Sequence, residues 1–135
     1  MANRIFIDTS AFVALFNESD KYHEQTRKFF KTLEGTRTLL ITSDYIVDET
    51  VTAIMSRSNH TNACTFLDQL QTFPMAIIPI FPVYFYPAQR LFRRFKDKDF
   101  SFTDCTSFTY MQGHEVSTAI TFDKHFSQMG FRVLP

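Results

Sequence analysis

The sequence has no tryptophan, only two cysteines and no net charge. The scarcity of cysteine and the lack of net charge each exclude or disfavour some classes of protein. Cys64 and Cys105 are too few for a disulfide framework and form no CxxC pair, so we expect a reducing, cytoplasmic setting. The longest apolar run, about residues 75–85, is interrupted by two prolines and is shorter than the roughly 20 residues that span a bilayer. Three glycines and five prolines exclude a collagen-like chain. Fourteen basic and fourteen acidic residues give no overall attraction to nucleic acid.

What the sequence does have is apolar material for a core. Its 135 residues are 44% hydrophobic and include 17 phenylalanines. No internal repeat or linker-like stretch divides the chain, so residues 1–135 are interpreted as a single domain. A chain of this length buries roughly two-thirds of its unfolded surface. We therefore expect one core that is rich in phenylalanine.

Short apolar runs alternate with helical patterns along the chain. Strands are predicted at residues 4–7, 39–42, 75–80, 116–122 and 131–134, the third of them buried. Helical spacing predicts the intervening helices, including one over residues 84–95 with Pro87 in its first turn and one from Ser101 to Gly113. Strands separated by helices favour a three-layer α/β/α sandwich around a mostly parallel sheet of four to five strands. Ligands bind such sheets at the carboxyl ends of the strands.

Four acidic residues occupy positions near those strand ends. Asp8 ends the first strand and Asp123 follows the fourth, while Glu49 lies in the helix after the second. Asp104 lies in the first turn of the helix that Ser101 opens. Each acid also has a plainer interpretation: Asp8 and Asp104 as helix caps, Glu49 on a solvated helix face, and Asp123 in a turn.

Taken together, the acids indicate a metal site. The predicted sheet would bring at least Asp8, Asp104 and Asp123 to one edge. Two carboxylates about 4 Å apart repel by roughly 4 kcal/mol at an effective dielectric constant of 20, so a fold that gathers several must protonate some or bind a cation. Oxygen ligands suit Mg²⁺ or Mn²⁺. Such an ion can activate water against a phosphodiester without a protein nucleophile.

Five segments in the same order and spacing resemble the PIN domain, specifically the single-domain VapC-like toxins of prokaryotic toxin–antitoxin pairs. The segments are Ile7-Asp8-Thr9-Ser10, Asp20-Lys-Tyr-His23, Asp44-Tyr-Ile-Val-Asp48-Glu49-Thr50, Phe100-Ser-Phe-Thr-Asp104 and Thr121-Phe-Asp123-Lys-His-Phe126. The resemblance covers nearly the whole chain and implies the PIN-type α/β fold.

The resemblance also implies an activity and a set of site residues. The activity would be Mg²⁺- or Mn²⁺-dependent endoribonucleolytic cleavage by the toxin of a type II pair, with metal-activated water attacking phosphorus. Its implied partners are an RNA substrate, a small antitoxin protein and a second copy in a homodimer, and no membrane is involved. The implied metal ligands and catalytic residues are Asp8, Glu49, Asp104 and Asp123, with Thr9 or Thr121 binding water or orienting a carboxylate.

A basic segment offers a place for RNA. Residues 90–98 contain five cations and one acid, and the arginines fall away from the apolar stripe of the predicted helix. This face is either an ordinary solvated surface or a rim that contacts phosphates. Lys124, beside Asp123, is a nearer candidate. The RNA-binding candidates are thus Lys124, Arg90, Arg93 and Arg94.

Two other functions fit parts of this pattern. A non-catalytic PIN-like module would bind RNA or a protein through the basic helix, although the intact set of four acids argues against it. A phosphate-transfer domain of the haloacid-dehalogenase type needs a second acid two residues after Asp8, where this chain has Ser10. The four histidines are scattered without metal-ligand spacing, and no metal role is predicted for them.

Overall fold

In the computed structural model, which describes residues 3–135, five strands alternate with seven helices. The strands are β1 (Asn3–Ile7), β2 (Thr38–Ser43), β3 (Met75–Ile78), β4 (Thr118–Ile120) and β5 (Arg132–Leu134). The helices are α1 (Thr9–Phe16), α2 (His23–Leu33), α3 (Asp44–Arg57), α4 (His60–Leu70), α5 (Pro82–Arg94), α6 (Phe102–Gly113) and α7 (Lys124–Gln128). Within residues 3–135, no helix combines the length and the apolar character needed to cross a membrane.

The order of the strands places the helices and the site. The sheet runs β3-β2-β1-β4-β5, and every pairing is parallel. From β1 to β3 the chain steps one way across the sheet, and it then returns to β4 on the other side of β1. Since crossovers between parallel strands are right-handed, α1–α4 cover one face and α5–α7 the other. The predicted three-layer α/β/α sandwich is confirmed, and the reversal leaves a crevice at the carboxyl ends of β1 and β4.

Phenylalanine fills the core on both sides of the sheet, as predicted. On one side, Phe12 of α1 meets Phe66 of α4 edge to face, with ring centroids 5.3 Å apart. On the other, Phe108 of α6 packs against Phe100 and Phe126 at 5.1 and 5.0 Å. Edge-to-face pairs add to the energy of area burial alone. These contacts hold α1 and α6, the helices that begin at the crevice, against the sheet.

Two predicted strands differ from the structure. The third strand was expected to be buried, but β3 is the edge of the sheet and Ile77 is 43% exposed. An apolar run does not distinguish an edge strand from a central one. The fourth strand was expected over residues 116–122, whereas β4 has three residues, because its ladder with β5 extends only from Thr118 to Ile120.

The predicted position of Pro87 in a first helical turn is also wrong. Helix α5 begins at Pro82, so Pro87 lies inside it. Pro82 occupies the start of the helix, where the missing N–H costs nothing and the fixed φ favours helical geometry. The apolar spacing from Tyr84 onward gave no information about the turn that precedes it.

The aromatic core makes a prediction about stability. Replacing Phe108 by alanine should lower the free energy of unfolding by about 3–5 kcal/mol, because a fully buried ring is lost and a cavity remains. Met55→Ala, at a position that is 55% exposed, is the control and should change it by no more than about 0.5 kcal/mol. Urea denaturation measures both. Similar values for the two variants would contradict this account of the core.

Candidate metal centre

Asp8 joins the ends of the two central strands. Its backbone N–H donates to the carbonyl of Ile120 at 3.1 Å, which extends the β1–β4 pairing by one step. Its side chain is 3% exposed. The Oδ2 atom accepts hydrogen bonds from Ser10 Oγ at 3.2 Å and Thr121 Oγ1 at 2.9 Å. Thr121 therefore orients the Asp8 carboxylate, which is one of the two roles, binding water or orienting a carboxylate, that the family resemblance implies.

Asp104 lies at the N-terminus of α6, where two functions coincide. Its Oδ2 accepts from the Ser101 N–H at 3.0 Å, and Ser101 Oγ accepts from the Asp104 N–H at the same distance. This is a complete capping box. The same residue is 5% exposed and, with Asp8 and Asp123, lines a small cleft, the acidic cleft. The helix cap and the candidate ligand are one side chain, so the two interpretations do not compete.

Asp123 and His125 complete the group at the start of α7. Asp123 Oδ1 accepts from the His125 N–H at 3.0 Å and so caps the helix. The His125 Nδ1 atom lies 2.9 Å from Asp104 Oδ2 and 3.0 Å from Asp123 Oδ1. These three side chains can offer ligand atoms within 4.8 Å of one another. No metal role was predicted for His125, because its contact with Asp104 spans 21 residues and leaves no local spacing signal.

Glu49 brings the fourth predicted acid to the same place. It lies half-buried on α3 and, with Asp8, Asp104 and Asp123, lines a cleft of about 150 Å³. The structure thus gathers all four acids. Arg57, which is also on α3, lines this cleft as well and was missed by the sequence analysis. Its spacing of eight residues from Glu49, slightly more than two helical turns, is the signal that could have found it.

The gathered carboxylates hold their protons unusually tightly. Burial, together with the neighbouring Asp104 charge, raises the pKa of Asp8 to about 7, while the hydrogen bond from Thr121 acts in the opposite direction. Burial also raises the pKa of Asp104 above its ordinary value, with the Asp123 charge acting in the same direction. A positive charge in the cleft would relieve both effects.

The residues present fit a divalent cation. In Asp104 and Asp123 one carboxylate oxygen is held by hydrogen bonds, while the other accepts none from residues 3–135. Thr9 lines the same cleft, and its Oγ1 is buried without a hydrogen-bond partner in that part of the chain. Carboxylate and hydroxyl oxygens are the ligands that hard cations such as Mg²⁺ prefer.

Of the predicted RNA-binding residues, three lie away from the acidic cleft and one lies next to Asp123. Helices α5 and α6 pack together through aromatic contacts, among them Tyr84 with Tyr110 and Phe92 with Phe102. Arg90, Arg93 and Arg94 are all exposed on α5. Arg90 and Arg94 line a shallow depression between α5 and α6, which is separate from the acidic cleft. Lys124 is exposed at the first residue of α7, directly after Asp123.

Residues 5–132 match the protein family described as the PIN domain. The chain belongs to the PIN domain family. It is 27% identical over 127 residues to the 23S rRNA-specific endonuclease VapC20 of Mycobacterium tuberculosis, a match that covers 94% of this chain and 95% of that protein. The crystal structure of VapC20, described as a sarcin-ricin loop cleaving toxin, has a TM-score of 0.86 at 26% identity, with the same coverage. A chain of VapBC2 from Rickettsia felis, solved with promoter DNA, shares the fold at a TM-score of 0.71 and 12% identity over 97% of each chain. The predicted membership of the PIN family is confirmed.

The raised pKa of Asp8 makes a prediction about pH and stability. Its folded value of about 7 exceeds the ordinary value of 3.8, so the unfolded chain releases this proton first. The contribution of Asp8 to stability is therefore full below about pH 4 and is lost as pH rises to about 7. Without divalent cations, the unfolding free energy of the wild type should fall over this range relative to that of Asp8→Asn, and Mg²⁺ should restore it at pH 8.

Asp8→Asn is the matched control because it keeps the side-chain shape and removes the titration. Denaturation at several pH values in EDTA measures the difference between the two proteins. A difference that stays constant from pH 4 to pH 8 would contradict the assignment.

Proposed function

We propose that this chain is a metal-dependent endoribonuclease, the toxin of a type II toxin–antitoxin pair, which hydrolyses RNA phosphodiesters. The observation that carries the proposal is the convergence of Asp8, Glu49, Asp104 and Asp123 on one cleft at the carboxyl ends of β1 and β4. The similarity to VapC20 along 94% of the chain supports the same activity. A binding module without catalysis would have no use for buried carboxylates that repel each other.

The metal ligands in this proposal are Asp8, Asp104 and Asp123, with Glu49 on the facing helix. The oxygen-rich donor set favours Mg²⁺ or Mn²⁺. When bound, such an ion lowers the pKa of water and neutralises charge on the phosphodiester. No side chain of the protein is needed as a nucleophile.

The chain's own side chains position these acids. Ser10 and Thr121 hold Asp8 through one oxygen, Oδ2. His125 Nδ1 lies within hydrogen-bond distance of both Asp104 and Asp123 and so fixes their separation. Positioning groups of this kind around a metal site set ligand orientation and basicity.

Cations near the cleft supply the attraction for RNA. Arg57, which lines the cleft, would neutralise the phosphate that enters it, and the exposed Lys124 would bind a flanking phosphate. The exposed arginines of α5 would extend contact along the strand. Because VapC20 is described as cleaving the sarcin-ricin loop of 23S rRNA, a stem-loop RNA with that sequence is the substrate to test first. The proposed protein partners are a small antitoxin and a second copy of this chain.

The first test compares two adjacent acids on α3. Glu49→Gln should lower the rate of cleavage of the stem-loop in Mg²⁺ or Mn²⁺ by roughly 100-fold or more, because a group in the acidic cleft is lost. Asp48→Asn removes the same charge from an exposed side chain that does not line this cleft, and it should leave the rate within about twofold. Asp8→Asn and Asp104→Asn should abolish cleavage, as should EDTA.

Gel analysis of the end-labelled RNA measures the rate, and circular dichroism checks that each variant is folded. Cleavage by a well-folded Asp8→Asn protein would contradict the proposal. Tight RNA binding with no cleavage by the wild type in either metal would instead support the non-catalytic module.

The RNA contacts make a separate prediction about salt. In an Asp8→Asn background, Lys124→Ala and Arg90→Ala should each reduce the slope of log affinity against log salt concentration by about 0.7–0.9, because each removes one phosphate contact. Arg132→Ala is the matched control for Lys124→Ala, since Arg132 is exposed at the start of β5, at the end of the strands away from the cleft. Filter binding of the stem-loop from 50 to 300 mM salt measures the slopes. Equal slopes for all three variants would overturn these contacts.

A further inference from the structure

Two stacked aromatic rings include a chain neighbour of Asp123, which lines the acidic cleft. Tyr22, before α2, lies parallel to Phe122, with ring centroids 4.1 Å apart and planes 3° from parallel. Both side chains are half-buried. Phe122 lies between Thr121, which orients Asp8, and Asp123, a proposed metal ligand. The pair is therefore tied directly to the metal site.

Hydrogen bonds hold the backbone of both aromatic residues, and the one at Phe122 is linked to Asp8. The Phe122 N–H donates to Ser10 Oγ at 2.9 Å, and that same hydroxyl lies 3.2 Å from Asp8 Oδ2. The Tyr22 N–H donates to Asp20 Oδ1 at 2.8 Å. A rigid aromatic surface loses little conformational entropy when a ligand stacks on it.

The outer face of this pair carries a cation. Phe122 covers one face of the Tyr22 ring, and the Lys21 Nζ lies 5.0 Å from the ring centroid, which places it over the other face. Lys21 is exposed and its side chain is flexible. A planar group that entered over Tyr22 would displace this ammonium, which could then reach a phosphate.

The lining of the acidic cleft indicates where bases can lie. Its lining residues are charged, polar or small aliphatic side chains, and none of those that the structure describes there is aromatic. Such a lining suits an ion and a phosphate group, whereas unpaired bases stack on aromatic side chains. We therefore expect a base next to the cleaved bond to rest on an aromatic surface beside the cleft.

We propose that the Tyr22–Phe122 pair is a stacking platform for a base of the RNA substrate next to the cleaved phosphodiester, and that Lys21 binds a phosphate of the same nucleotide. The inference rests on the proposed ribonuclease function and adds residues that position the substrate. Single-stranded and looped RNA is recognised by stacking of unpaired bases on aromatic side chains, which tolerates any base because each has a π face.

Kinetics with altered RNA test the platform. Tyr22→Leu should reduce kcat/KM for the stem-loop by roughly tenfold or more, chiefly through KM, while Tyr22→Phe, which keeps the ring, should remain within about twofold. Removing the base from the nucleotide that stacks should reduce the wild-type kcat/KM by a similar factor. With that abasic RNA, Tyr22→Leu should cause no further loss. Additive losses at every position next to the cut would overturn the proposal and leave the pair as packing alone.

A binding measurement separates this inference from the proposed function. The folded Asp8→Asn protein is mixed, in EDTA, with the stem-loop carrying 2-aminopurine at one position next to the cut at a time. Stacking should quench the fluorescence at one position, and Tyr22→Leu in the same background should remove the quenching, whereas Tyr22→Phe should not. Quenching at none of the positions by a protein that binds the RNA would overturn the platform. If the wild type cleaves no RNA but quenching persists, the ribonuclease function fails and the stacking surface stands.

Discussion

Repulsion among carboxylates at the carboxyl ends of β1 and β4 is the constraint on which the site depends. Asp8 and Asp104 are almost fully buried, and burial raises the pKa of both, with the charge of Asp104 adding to the effect on Asp8 and that of Asp123 to the effect on Asp104. A fold tolerates such a group only with protons, hydrogen bonds or a cation to offset the charge. Here the hydrogen bonds come from Ser10, Thr121 and the Ser101 cap, and they hold the acids in place without neutralising them. The arrangement is consequently selective for a positive ion.

The topology explains why the acids meet at this point. The chain reverses direction in the sheet between β3 and β4, so β1 and β4 become neighbours and their carboxyl ends open a crevice. Helices α1, α6 and α7 all begin there. Residues that cap or precede these helices, among them Asp8, Asp104 and Asp123, therefore share one small volume. Capping preference favours Asp104 and Asp123 at this edge, whereas the Asp8 side chain makes no capping hydrogen bond; burial raises the pKa of Asp8 and Asp104.

The sequence could predict what depends on local pattern. Asp8 and Asp123 follow apolar strands, and Asp104 stands in a capping box, so their convergence followed from the parallel sheet. His125 could not be found in this way, because its position depends on a contact between α7 and α6 that no spacing encodes. Arg57 shares α3 with Glu49, and its spacing points to the cleft only once Glu49 is placed there. The edge position of β3 could not be predicted either. An apolar run predicts a strand but does not indicate whether one or two neighbouring strands will pair with it.

The zero net charge of the chain does not argue against nucleic-acid binding, because binding depends on the charges close to the site. At physiological ionic strength, exposed charges more than about 8 Å apart are largely screened. RNA at the cleft would therefore respond to Lys21, Lys124 and Arg57 and not to the total of the chain. The buried acids oppose its phosphates until a divalent ion offsets them. Metal and RNA should accordingly bind with positive coupling, since each supplies the charge that the other needs. Because coupling is reciprocal, RNA should strengthen metal binding by the same factor.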